Sequence, residues 1–85
     1  MNPNRTSRSA TDRSQLVDAV IDGYVTWREE SAAVTATYEN WRRASRGERP
    51  AAFDAYVAAL DREELTASAY QRVLEQAAAR SGAHA

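Results

Sequence analysis

The stretch Trp41-Arg42-Arg43-Ala44-Ser45-Arg46-Gly47-Glu48-Arg49-Pro50 holds a glycine and a proline three residues apart, and it decides the fold. Gly47 reads as a left-handed helix stop, and Pro50 suits the first position of a following helix, where its missing N–H costs nothing. The turn is therefore expected at residues 46–49. Upstream, no proline occurs back to Asp12 and Gly23 is the only glycine, so one helix is predicted over 12–45, about 50 Å long at 1.5 Å per residue. Thr11 or Asp12 can cap it, with Gln15 completing a capping box. Downstream, a second helix is predicted over 50–80, ended by Gly82. Residues 1–10 carry Asn, Pro, Thr, Ser, Arg5 and Arg8 without apolar periodicity and read as a disordered tail, and residues 82–85 as another. No segment has the alternation of a strand.

The apolar spacing says how the two helices meet. Val17, Val20, Tyr24, Trp27, Ser31, Val34, Tyr38 and Trp41 follow one another at intervals of three and four, as do Phe53, Tyr56, Leu60, Glu63, Ala67, Tyr70, Leu74 and Ala77. Folding the chain at the turn pairs Trp41 with Phe53, Tyr38 with Tyr56 or Val57, Val34 with Leu60, and Val20 with Leu74. The expected architecture is all-α, an antiparallel two-helix hairpin. Leu16, Ile21, Val25, Leu65 and Val73 lie off this seam as a second apolar edge. Two helices cannot cover each other on all sides, and each large apolar side chain left in water forgoes about 1.5–3 kcal/mol. Those five residues are therefore the expected oligomer interface, and the expected assembly is a homodimer forming a four-helix bundle. The segment 21–25, Ile-Asp-Gly-Tyr-Val, is echoed 32 residues later by Phe-Asp-Ala-Tyr-Val at 53–57, and Tyr38 by Tyr70, which marks the two helices as near-equivalent.

Composition removes most other classes. The chain has 85 residues, and of its 37 hydrophobic residues 18 are Ala, so only 19 larger side chains can build a core, enough for one small domain at most. Eleven Arg against twelve Asp and Glu leave a net charge of -1, which excludes a uniformly basic nucleic-acid binder. Without cysteine there is no disulfide, thiolate metal site or thiol nucleophile. No apolar run approaches a membrane span and the first residues form no secretory signal core, so the expected location is cytoplasmic, with no membrane partner. All eleven cations are Arg, and with the alanine excess this matches the codon usage of a high-GC bacterial genome.

Few residues invite chemistry. Arg28, Glu30, Glu63 and Glu64 form a charged layer near the middle of the hairpin. A dimer would double that layer, as in carboxylate-bridged bundles that hold metal. The Glu-x-x-His spacing of such bundles is missing, since the sole histidine is His84 in the tail. The expected role of the layer is mutual neutralisation that fixes register, with no metal or cofactor, and binding of a metal or small ligand there is the alternative. Arg42, Arg43, Arg46 and Arg49 make the turn the basic end, so docking of an anionic partner is a further alternative, although three units of charge are few for nucleic acid. The aromatic residues read as core rather than as a ligand cavity. With no placed base and no phosphate-binding loop, no catalysis is expected.

The stretches Trp27-Arg28-Glu29-Glu30 with Tyr38-Glu39-x-Trp41, and Phe53-x-x-Tyr56 with Ala59-Leu60-Asp61-Arg62-Glu63-Glu64, resemble small uncharacterised helical-hairpin proteins of high-GC Gram-positive bacteria across residues 20–75. The resemblance implies a hairpin fold and no activity. The size and plan are also similar to secreted hairpin dimers bearing a Trp-x-Gly turn and a Tyr-x-x-x-Asp/Glu export signal. Here Trp41 is followed by Arg42 and Arg43, and Tyr70 by Glu75 at five residues, so both marks are missing. The expected function is a non-catalytic, oligomerising protein-interaction module, its partner a second copy or another protein.

Overall fold

The computed structural model describes the backbone of residues 3–81 and the side chains of residues 12–80. Two α-helices, α1 (Pro3–Arg43) and α2 (Arg49–Ser81), pack against each other as a hairpin, and among the described residues there is no strand. The helix start expected at residue 12 is corrected to Pro3. Proline is favourable in a first turn, no breaker lies between it and Asp12, and extending an already nucleated helix adds one hydrogen bond per residue. The Gly82 stop and the tail that carries His84 lie outside the described residues.

The turn also differs in detail. It occupies residues 44–48, closed by hydrogen bonds from the Ala44 N–H to the Trp41 carbonyl and from the Glu48 N–H to the Ser45 carbonyl. Glu48 is the cap residue of α2, since its carbonyl accepts from the Ala52 N–H at 3.0 Å. Gly47 does not adopt a positive φ, so the left-handed stop is not used. Two successive tight turns reverse the chain, which any residue at 47 could accommodate. A side chain added there would meet nothing within 4 Å.

Aromatic pairs set the register. Trp41 and Phe53 lie with ring centroids 5.2 Å apart, Tyr38 and Tyr56 5.6 Å apart, and Tyr24 and Tyr70 6.1 Å apart. In each pair the residue numbers sum to 94, so one rigid antiparallel register holds along the whole seam. The same triad occurs twice. Trp27 stacks on Tyr70 with Tyr24 against both, and Trp41 stacks on Tyr56 with Tyr38 against both. Fourteen residues, two heptads, separate the repeats on each helix, so each Tyr-x-x-Trp of α1 clasps one tyrosine of α2. By this register Ser81 is level with Arg13, and the first turns of α1 run on beyond it.

The stripe that faces across the hairpin is not the one made of the largest residues. On α2 it is Ala52, Tyr56, Ala59, Glu63, Thr66, Tyr70, Val73 and Ala77, every one buried or half-buried, with Ala52 and Ala59 the only buried hydrophobic residues among those described. On α1 it is Leu16, Val20, Gly23, Trp27, Glu30, Val34, Thr37 and Trp41, all half-buried. Both sets step by three and four. Small residues let the backbones approach, and Gly23 is the tightest point: a Cβ there would stand 3.0 Å from Tyr70 Cδ1 and 3.7 Å from its Cα. Tyr70 is held by Trp27 and Tyr24 and has little room to yield.

The two glycines should therefore respond oppositely to substitution, as followed by urea denaturation. Gly23→Leu is expected to destabilise by about 1–3 kcal/mol despite better helix propensity, because it wedges the helices apart. Gly47→Ala is expected to be neutral or to stabilise by up to about 1 kcal/mol, through the unfolded chain.

Candidate functional site

The charged layer is resolved into two separate contacts. Glu63, on the seam of α2, accepts a hydrogen bond from the Trp27 indole Nε1–H at 2.9 Å. Glu30, on the seam of α1, is paired with Arg62 at 3.4 Å. Each carboxylate thus meets a donor from the opposite helix, which ties the two triads' register to a polar checkpoint between them. Arg28 and Glu64 are exposed and take no part in these contacts. Among the described residues, no group of three or more His, Cys, Asp or Glu side chains is gathered as a metal ion requires. Hydroxyl groups are turned inward: Thr37 donates to the Ala33 carbonyl at 2.7 Å, and Thr66 to the Arg62 carbonyl.

At the turn, three of the four arginines named for anion docking are engaged. Arg42 and Arg43 both reach Glu39, at 3.5 and 3.7 Å, and Arg49 lies over the Trp41 ring at 5.7 Å. Arg42 also stands 6.0 Å from the centre of the Tyr38 ring. Arg46 is exposed. These are solvent-screened contacts of small energy, but they direct the guanidinium groups back onto the hairpin.

The five residues expected to form the oligomer interface do not share one surface. Leu16 and Val73 belong to the seam inside the hairpin and are half-buried, because each sits three or four residues from another seam position. Val25 and Leu65 are exposed, 47% and 72%, on the outer sides of their helices. Only Ile21, 54% exposed, adjoins a larger apolar surface.

That surface is a second stripe, one residue further along each helix. On α1 it carries Val17, Ile21, Tyr24 and Tyr38; on α2 it carries Phe53, Val57, Leu60 and Leu74. Each is at least 38% exposed, and these eight account for all but Val25 and Leu65 of the ten exposed large hydrophobic residues among those described. A step of one residue turns 100° about a helix axis. Because the helices are antiparallel, that step rotates both stripes to the same side of the hairpin. The opposite side carries none of these large exposed hydrophobic residues; it holds the Glu30–Arg62 pair and an open, mainly apolar groove of about 220 Å³ lined by Asp22, Gly23, Thr26, Thr66, Ala69, Tyr70 and Val73. The hairpin is thus a two-faced plate, and the apolar face is its candidate functional site. The signal was present in the spacing: Phe53, Leu60 and Leu74 recur at heptad intervals one step after Ala52, Ala59 and Val73.

No protein-family model, curated protein or solved structure matches this chain.

The Trp27–Glu63 bond is expected to couple the helices energetically. Trp27→Phe removes the donor and leaves a half-buried carboxylate without it, a loss of about 1–2 kcal/mol in chemical denaturation. In a Glu63→Leu background most of that loss should vanish, whereas strictly additive effects in the double-mutant cycle would show that the bond contributes nothing.

Proposed function

We propose that this protein is a non-catalytic helical-hairpin interaction module whose stable form is an assembly with other polypeptide. One observation carries the reading: the hairpin alone has no closed core. No large side chain is fully buried, and the accessible surface is 6733 Å², against about 5,000 Å² for a compact monomer of this mass. The radius of gyration is 19.4 Å where a compact domain of this length has about 12 Å, and the molecule measures 70 × 24 × 13 Å. A plate 13 Å thick is one helix layer, and a domain needs two packed layers to enclose a core.

Glu63 and Glu30 are matched to an indole and a guanidinium, and Thr35, Thr37 and Thr66 donate to carbonyls of their own helices. Among the described residues, no helix is long and apolar enough to cross a membrane. The face that remains offers apolar area and tyrosine rings, the materials of a protein contact.

An assembly that completes the core makes stability depend on concentration by mass action. The melting temperature followed by circular dichroism should rise across a hundredfold range of protein concentration, with light scattering giving a mass above one chain. A one-chain mass at micromolar concentration, together with a cooperative and concentration-independent melt, would overturn the proposal.

A further inference from the structure

We infer that the apolar face is covered by a second copy of this chain, stacked face to face with its turn at the opposite end, about a two-fold axis that crosses the hairpin at the level of Ser31 and Glu63. This inference rests on the assembly reading above and adds the face, the occupant and the orientation.

Three observations lead to it. First, the length fits a copy of itself. The face runs from Val17 to Tyr38 on α1 and from Phe53 to Leu74 on α2, most of the paired length of the hairpin, which an equally long rod covers. Second, the face is self-complementary about its own middle. Tyr24 and Tyr38 stand seven residues either side of Ser31, and Phe53 and Leu74 stand ten and eleven residues either side of Glu63. An axis there seats Tyr24 against the partner's Tyr38 and Phe53 against the partner's Leu74. Ser31 and Ala67, the two half-buried members of the second stripes, fall near the axis, where small residues allow the closest approach.

Third, charge chooses between the two ways of stacking the faces. Residues 42–49 sum to +3, four arginines against Glu48. The levels that face this tip across the axis, residues 12–22 and 72–81, sum to -1, and with Arg5 and Arg8 further along α1 the end from residue 3 sums to +1. Parallel hairpins would place two +3 tips side by side. Hairpins with their turns at opposite ends instead place each basic tip beside a partner end of much lower positive charge, and the symmetry is isologous and closed.

The test uses the full chain, which has no cysteine, so a single introduced thiol labels one site. Gly47→Cys sits at the tip, where a side chain meets nothing within 4 Å and no positive φ is needed. With a nitroxide on that thiol, tip-to-tip distances by pulsed dipolar spectroscopy are expected near 50 Å, twice sixteen residues at 1.5 Å each. Parallel stacking would give roughly 10–20 Å, the spacing of neighbouring helices with label arms added. Alongside it, Leu60→Glu on the apolar face is expected to give a helical one-chain species by light scattering, while Leu65→Glu on the outer side keeps the mass of two chains. A two-chain mass with short tip distances, a mass above two chains, or dissociation by Leu65→Glu but not by Leu60→Glu would overturn this arrangement and leave assembly standing. A one-chain mass for the unaltered protein would overturn both. The tip distance is read on a chain with its apolar face intact, so it decides the orientation even if Leu60→Glu loses helicity.

Discussion

Two rods laid side by side can bury only the strip along which they touch, and this constraint governs everything else in the structure. In this hairpin the strip is filled by small residues and interlocked rings: Ala52 and Ala59 are the points of deepest burial, Gly23 admits Tyr70, and each Tyr-x-x-Trp closes on a single tyrosine. Such a seam holds the helices close and in register but uses little of the chain's apolar bulk. The bulk stands on the next stripe, where Phe53, Val57, Leu60 and Leu74 are between 38% and 43% exposed. A helix that buries one stripe needs one neighbour, and a helix with two adjacent stripes needs two, which is the environment of a helix in a four-helix bundle.

The polar groups fit the same division. Glu30 and Glu63 lie on the inner seam, where each would be costly alone, and each is met from across the hairpin by Arg62 or by the Trp27 indole. Misalignment of the helices by one turn would break both contacts and both aromatic triads together. The charged layer therefore reinforces a register that the rings already select.

Much of this architecture was legible in the sequence. The break near Gly47 and Pro50, the two long helices and the pairings of Trp41 with Phe53 and Tyr38 with Tyr56 follow from heptad spacing and punctuation. Other features were not legible, for identifiable reasons. Spacing alone cannot say which of two adjacent heptad stripes faces inward, and hydrophobicity favours the bulkier one, whereas close packing of two helices favours alanine. Val25 and Leu65 are apolar yet project from the outer sides, and Leu16 and Val73 belong to the seam. The partner of Glu63 was expected among the arginines, but an indole N–H reaches it, because the Trp27 side chain leans across the gap while Arg28 faces water. The start of α1 was sought at a cap, and the helix runs past that cap to Pro3 because nothing before it interrupts the hydrogen-bond ladder.

The claim on which the account stands is that one broad face of this plate is dry in solution although the chain alone leaves it wet. Methyl relaxation by a soluble paramagnet reads this directly, residue by residue. The account predicts that the methyl signals of Val57 and Leu60 are protected while those of Leu65 are strongly broadened. Broadening of Val57 and Leu60 comparable to that of Leu65, as the 38% exposure of each in the lone hairpin would produce, would contradict it.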